Sequence, residues 1–279
     1  MSASLWRRLT DLLSGRGGGA GPIPDDLWLR TLQNYSFLSQ RPPDEQARLR
    51  ELSARFVHDK EFHGAQGLVI TDDMAVAVAA QACLPILNLG PAAQALDWYD
   101  DFVGIVMQPG EVLARREFTD ETGVVHAYDE PLAGEAMDRG PVMLNWHDVA
   151  RAGATAHEGY NLVVHEFVHK IDMRDGAPDG CPPLPAGFMG ATGARQARQR
   201  WFEVLQPAYE EFREKSIIAQ RFGGEPPWLD EYAAEAIGEF FAVACEAYFV
   251  NPQRFAQEFP TLTPLFDAFF LAGALDAQR

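Results

Sequence analysis

The sequence has 279 residues, of which 47% are hydrophobic, and its 23 basic and 40 acidic side chains give a formal net charge of −17 at pH 7. This acidic balance repels nucleic-acid phosphates and anionic lipids, so we expect no nucleic-acid partner and no membrane surface. The three cysteines, Cys83, Cys181 and Cys245, are widely spaced. They suggest neither a disulfide framework nor a cysteine zinc site, which indicates a reducing compartment and a cytoplasmic location.

Residues 1–24 are predicted to form a flexible N-terminal tail. Residues 14–24 are rich in glycine, a composition typical of a flexible joint. The apolar residues at positions 5–13 fit a short amphipathic helix as well as a frayed tail. The tail has neither the long apolar core nor the cleavage site of a signal peptide. Residues 25–279 contain no clear linker and are predicted to form a single domain.

Helical and strand-like patterns follow the tail. The run PPDEQARLRELSARFVHDKEF begins with two prolines and acidic residues and repeats Leu49, Leu52 and Phe56 at helical spacing, which predicts a helix. Three later runs rich in Val, Ile and Met are predicted strands, at residues 67–71, 102–109 and 141–149. The uncharged residues 74–96 are predicted to form a buried strand and turns. A membrane-spanning helix is not expected, because polar residues and prolines interrupt the stretch.

After residue 150 the pattern is mainly helical, apart from a Gly/Pro-rich insert between Arg174 and Gly193. This order predicts an α+β fold, with a small sheet followed by a mainly helical C-terminal half. The insert and the N-terminal tail are both long enough to cover a cleft, so a cleft that the chain itself covers is one alternative to an open one.

One predicted helix carries two histidines four positions apart. The stretch NLVVHEFVHK places His165, Glu166 and His169 among apolar residues. On a helix the two imidazoles share one face and can hold one ion, while Glu166 points to the side and can reach a water. Such groups are costly in a buried helix unless a metal and hydrogen bonds satisfy them. The H-E-x-x-H pattern therefore predicts a zinc-peptidase helix with Glu166 as the general base.

A catalytic zinc requires a third protein ligand, and the residues after His169 supply no third histidine of the H-E-x-x-H-x-x-G-x-x-H type. A carboxylate from a second helix is therefore expected. In residues 230–250, Glu235, Glu239 and Glu246 form an acidic stripe on an otherwise apolar helix. The stripe fits a solvent-facing side as well as a metal-facing one, and periodicity does not choose among its three members.

The motifs GYNLVVHEFVHKIDMRDG and DEYAAEAIGEFFAVACEAYF resemble those of the Mlc titration factor A family of bacterial zinc peptidases. The second motif is also similar to the catalytic domain of anthrax lethal factor. The resemblance covers most of the chain from about Asp25. It implies a zincin-like metallopeptidase fold and one Zn²⁺ per chain, with Glu239 as the third ligand beside His165 and His169. It also implies that Tyr232 assists catalysis. The insert departs from the family's spacing, so the resemblance does not determine the shape of the cleft.

The resemblance implies a zinc-dependent, aminopeptidase-like activity on peptide substrates. It also implies a partner, the transcriptional repressor Mlc, which is bound and titrated away from DNA in the control of sugar uptake. The alternative is a non-catalytic, repressor-sequestering protein with a structural zinc, although such a site has four protein ligands and no task for Glu166. Three residues are candidates to orient the zinc ligands or to serve plain structural roles: Asp172, Glu246 and Asn161.

Overall fold

The computed structural model describes residues 20–90, 92–110, 112–119, 125–132, 134–136 and 139–272. Up to residue 19, the predicted N-terminal tail and its candidate helix lie outside the described residues. Residues 20–24 lead without regular structure into the first helix. None of the helices in the described ranges is both long and apolar enough to cross a membrane.

The described chain begins with the helices α1 (Asp25–Asn34), α2 (Ser36–Ser39) and α3 (Pro43–Asp59). The helix α3 confirms the first predicted helix. Its first turn contains a proline and two acidic residues, which suit the free N–H groups and the positive end of the helix dipole. Leu49 and Phe56 are fully buried, so the predicted apolar face is the one that packs on the core.

A fourth helix, α4 (Asp72–Ala82), shows that two strand predictions are wrong. Residues 67–71 form a turn and an irregular approach to this helix. Thr71 caps it by accepting a hydrogen bond from the Met74 N–H at 3.3 Å, and two aspartates follow in the first turn. Residues 74–82 are all buried. These residues alternate Ala and Val as a strand might, but they form a helix that is buried on every side. The high helix propensity of alanine outweighs the strand preference of valine here.

Turns continue from α4 to residue 90, as predicted for the later part of this uncharged stretch. The short helix α5 (Ala92–Ala95) and a 3₁₀ turn (Leu96–Tyr99) then lead into the sheet. Tyr99 is fully buried, and its hydroxyl donates to the Ala82 carbonyl at 2.9 Å. This hydrogen bond ties the approach to the sheet to the end of α4.

Short strands form the sheet next to these helices. In chain order the strands are β1 (Glu61–Gly64), β2 (Gly104–Gln108), β3 (Val112–Thr119), β4 (Val125–Leu132), β5 (Gly134–Ala136) and β6 (Val142–Asn145). β1, β2 and β6 are parallel, and β5 pairs antiparallel with β6 at one edge, in the order β1-β2-β6-β5. β3 and β4 form a separate antiparallel hairpin. Burial alternates along β2, whose Ile105 and Met107 face the core.

The strands β2 and β6 confirm the predicted strands at residues 102–109 and 141–149, although the second strand is shorter than predicted. It ends at Asn145, whose side chain caps the helix α6 (Trp146–Thr155) by accepting from the Asp148 N–H at 2.8 Å. A cap residue therefore divides the predicted strand into a strand and a helix start.

The C-terminal half contains α7 (Leu162–Asp172), α8 (Ala194–Phe222), α9 (Ile237–Val250), α10 (Pro252–Glu258) and α11 (Leu262–Phe270). It confirms the predicted α+β fold with a mainly helical C-terminal half. The helices α7 and α9 are largely buried and pack against each other. Trp201 of α8 contacts Phe241 of α9 and Phe266 of α11, with ring centroids 5.6 and 6.1 Å apart. These aromatic contacts fix the position of α9, which faces α7.

The Gly/Pro-rich insert packs against the beginning of α9. The Gly180 N–H donates to Asp172 Oδ2 at 2.8 Å, and Trp201 Nε1 donates to the Gly180 carbonyl at 2.6 Å. Gly180 has a φ of +80°, a conformation that favours glycine. Gly238 has no room for a side chain, because an added Cβ would collide with the Pro178 carbonyl. This part of the insert therefore braces the helix that carries Glu239.

Candidate metal centre

The helix α7 places two histidines on one face. Its N-cap is Asn161, whose side-chain oxygen accepts from the Val164 N–H at 2.9 Å. His165 and His169 follow at helical spacing, and each side chain keeps 12% of its surface exposed. Their rings are 4.7 Å apart and tilted by 76°. The Nε2 atoms approach to 3.1 Å and point toward the same space.

The helix α9 supplies the third group. Glu239 lies in its first turn, where a carboxylate is favoured by the positive end of the helix dipole. Its Oε2 atom lies 3.1 Å from His169 Nε2 and 3.3 Å from His165 Nε2. These three atoms form a group whose arrangement could hold a metal ion. The structure thus brings together the three predicted ligands and selects Glu239 from the acidic stripe.

The spacing of these atoms fits the size of zinc. Nitrogen and oxygen ligands at about 2.0–2.1 Å in a tetrahedron lie about 3.3–3.4 Å from one another. The observed separations of 3.1, 3.1 and 3.3 Å are close to this range. Two imidazoles and one carboxylate are also a donor set typical of catalytic zinc. The residues present therefore fit the ion that the motif predicts.

Burial and neighbouring charges shift the pKa values of all three candidate ligands. Burial by itself would raise the pKa of the Glu239 carboxyl, but hydrogen bonds and charges from His165 and His169 hold that pKa well below its usual range. Burial and the neighbouring imidazole lower the pKa of His169, which favours the neutral ring that a metal needs. Burial opposes the charge on His165, yet the hydrogen bonds that His165 makes to the Glu239 and Glu246 carboxylates raise its pKa well above that of a free histidine.

The second of these carboxylates is Glu246, which lies two turns after Glu239 on α9 and is buried. His165 donates from Nδ1 to Glu246 Oε1 at 2.8 Å, and the Asn161 N–H donates to Glu246 Oε2 at 2.5 Å. Asn161 also donates to Gln81 Oε1 at 2.8 Å. The sequence left the role of Glu246 open and gave no signal for Gln81. The structure shows that these groups link the ring of His165 to α4 and α9.

Asp172, another candidate to orient the zinc ligands, has a different partner. It is fully buried at the end of α7, where its Oδ2 atom accepts from the Gly180 N–H. Burial raises the pKa of Asp172 to about 7. Asp172 therefore anchors the insert, which is the structural one of the two roles that the sequence left open.

Glu166 lies between the two histidines in sequence but not among the three converging atoms. It is buried, with 4% of its surface exposed, on the part of α7 that packs against the edge strand β5. A helix turns by about 100° per residue, so a residue directly after His165 points to the side of the histidine pair. This placement agrees with the predicted orientation of Glu166.

Tyr232 approaches the same site from a separate turn. The prediction of one helix over residues 230–250 is wrong, because a 3₁₀ turn (Glu231–Ala234) precedes α9 and the chain is extended at Ala236. Asp230 caps this turn by accepting from the Tyr232 N–H at 2.9 Å. Tyr232 is 41% exposed, and its ring centroid lies 6.2 Å from that of His165. The tyrosine therefore stands at the open side of the site.

Comparison with known proteins identifies the family. The sequence model of the glucose-regulated metallo-peptidase M90 family matches residues 14–271. Mlc titration factor A of Edwardsiella ictaluri (strain 93-146) is 34% identical over 228 residues, which cover 81% of this chain and 80% of that protein. The protein of the same name from Serratia proteamaculans (strain 568) is 33% identical, with 84% and 82% covered. A match of this extent shows that the chain belongs to the glucose-regulated metallo-peptidase M90 family.

Proposed function

We propose that this chain is a zinc-dependent peptidase in which His165, His169 and Glu239 hold the ion and Glu166 is the general base. The convergence of two imidazole nitrogens and one carboxylate oxygen at 3.1–3.3 Å carries the proposal. The buried carboxylate of Glu166 beside them adds the group that hydrolysis requires. Membership of a metallopeptidase family supports the same reading.

The chemistry divides between the ion and the side chains. When bound, zinc would supply a Lewis acid that polarises a peptide carbonyl and lowers the pKa of water. Glu166 takes a proton from the attacking water as the new C–O bond forms, and delivers it to the amine as the C–N bond breaks. The Tyr232 hydroxyl donates a hydrogen bond to the carbonyl oxygen, where negative charge develops.

The sheet offers a place for an extended substrate. β5 forms one edge of the four-stranded sheet and packs against α7, which carries Glu166. A peptide can add to such an edge through main-chain hydrogen bonds. An aminopeptidase-like preference remains a prediction from the family resemblance. It requires faster cleavage of short peptides with a free amino terminus than of the same peptides after acetylation.

The substitution Glu166→Gln tests the general base. It keeps the shape of the side chain but removes the proton acceptor, so we expect kcat to fall roughly 10²- to 10⁴-fold. Zinc content, measured by mass spectrometry of the purified protein, should stay at the level of the parent. Glu225→Gln, at an exposed position, is the matched control. Full turnover by Glu166→Gln contradicts the assignment.

A peptide-library assay separates the peptidase from the alternative of a repressor-sequestering protein with a structural zinc. Such a protein would hydrolyse no member of a peptide library, whether zinc-loaded or not. Among the described residues, the candidate group has three donors, whereas a structural zinc has four protein ligands. This difference favours the peptidase.

We further propose a repressor of the Mlc type as a protein partner, a proposal supported by the name Mlc titration factor A of the relatives. Titration calorimetry with purified Mlc tests it. Since Glu166 is buried, Glu166→Gln should bind Mlc as the parent does. Absence of heat with both proteins rejects the partner without affecting the peptidase.

A further inference from the structure

The edge strand β5 approaches Glu166 closely at a glycine. Gly134 is the first residue of β5, and a Cβ atom added to it would lie 2.8 Å from Glu166 Cδ. The same atom would lie 2.8 Å from Leu162 Cδ1 and closer still to Glu166 Oε1. Carbon atoms that are not bonded to each other prefer separations of about 3.5–4.0 Å. With Glu166 and Leu162 in their observed positions, residue 134 has no room for a side chain.

Space, rather than backbone conformation, accounts for this glycine. Gly134 is not among the glycines with a positive φ, so the backbone conformation of Gly134 is open to other residues. Its partner in the antiparallel pair with β6 is Leu144, which is buried in the core. The pairing holds β5 in place, so the strand cannot easily move away from α7.

The atoms that meet the added Cβ are the ends of flexible side chains and not backbone atoms. A methyl group at position 134 would therefore be accommodated by turning the Glu166 carboxylate aside, with the fold preserved. A displacement of about 1 Å can cost an enzyme about 10²-fold in rate. The consequence of a larger residue would thus fall on the position of Glu166.

We propose that Gly134 is a positioning residue: its missing side chain leaves the room in which the Glu166 carboxylate takes its working orientation beneath β5. The catalytic part of this inference rests on the proposed function of Glu166. The steric part, a direct coupling between positions 134 and 166, holds whether or not the protein is a peptidase.

Kinetics test the catalytic part. Gly134→Ala should lower kcat roughly 10- to 100-fold, leave KM within about twofold, and keep the zinc content of the parent. The control is Gly104→Ala in the same sheet, where the added Cβ would meet only Pro141 Cβ, at an ordinary 3.5 Å. It should keep the parent's kcat. An unchanged kcat in Gly134→Ala overturns the proposal.

A double-mutant cycle on thermal stability tests the steric part without any activity measurement. Gly134→Ala should lower the unfolding midpoint of the parent, and this loss should be at least roughly halved in a Glu166→Ala background, where the carboxylate is gone. Gly104→Ala should cause the same change in both backgrounds. Equal losses for Gly134→Ala in both backgrounds overturn the proposal. Activity in Glu166→Gln would instead reject the general base and leave the steric coupling intact.

Discussion

His165 and Glu246 are joined on the side of the imidazole that faces away from Glu239: Nδ1 of His165 donates to Oε1 of Glu246 at 2.8 Å, while Nε2 faces Glu239 Oε2 at 3.3 Å. This hydrogen bond fixes the tautomer and the orientation of the ring. Glu246 itself is held by the Asn161 N–H. The buried Glu246 carboxylate therefore directs Nε2 of His165 into the site.

The first prediction concerns this carboxylate. Glu246→Gln keeps the volume but weakens the acceptor of His165 Nδ1–H, so we expect zinc affinity to fall about 10- to 100-fold. Competition with a chromogenic chelator measures the affinity. Glu235→Gln, at the exposed member of the acidic stripe, is the control and should match the parent. Unchanged affinity in Glu246→Gln would show that the hydrogen bond does not tune the site.

The second prediction concerns Tyr232. Tyr232→Phe keeps the ring near His165 but removes the hydroxyl, so the negative charge of the transition state loses a donor. We expect kcat to fall about 10²- to 10³-fold, with unchanged zinc content and little change in KM. Steady-state kinetics on a peptide substrate measure the two constants. If KM rose by this factor and kcat stayed unchanged, Tyr232 would only bind substrate.

The third prediction concerns the brace at the start of α9. In Gly238→Ala the new methyl group collides with the backbone carbonyl of Pro178, which cannot move aside as a side chain can. We expect a loss of about 1–3 kcal/mol in the free energy of unfolding, measured by urea denaturation. Gly110→Ala adds a methyl group with nothing within 4 Å and serves as the control. Equal stability of the two variants would rule out a tight contact between insert and helix.

The fourth prediction concerns pH. Burial raises the pKa of Asp172 to about 7, well above the value of about 4 in an unfolded chain. The folded state therefore binds the proton more tightly, and this stabilising contribution is complete below about pH 4 and is lost as the pH rises through 7. Asp172→Asn retains an oxygen acceptor for the Gly180 N–H and removes the titration.

Urea denaturation of both proteins between pH 5 and pH 8 at saturating zinc tests this prediction. Relative to the parent, Asp172→Asn should gain stability with rising pH, by an amount on the order of a few kcal/mol. Because both proteins carry the same candidate zinc ligands, the other titrations cancel in the difference. A difference that does not vary with pH would mean that Asp172 is ionised throughout this range.

The sequence by itself determined the elements of the site that depend on local spacing. A four-residue separation on a helix places His165 and His169 on one face wherever that helix lies. The pattern of apolar and punctuating residues likewise predicted α3, the strands β2 and β6, and the helical C-terminal half. It misassigned α4, because Ala and Val alternate in a helix that is buried on every side, where no polar face marks the helical period.

Only the tertiary structure decided which distant groups meet. Periodicity gave Glu235, Glu239 and Glu246 as equals, whereas the packing of α9 on α7 turns Glu239 toward both Nε2 atoms, buries Glu246 behind His165 and leaves Glu235 exposed. The close approach of Gly134 to Glu166 left no pattern in the sequence. Such contacts join residues far apart along the chain, and their geometry is set by how strands and helices pack, which local spacing does not encode.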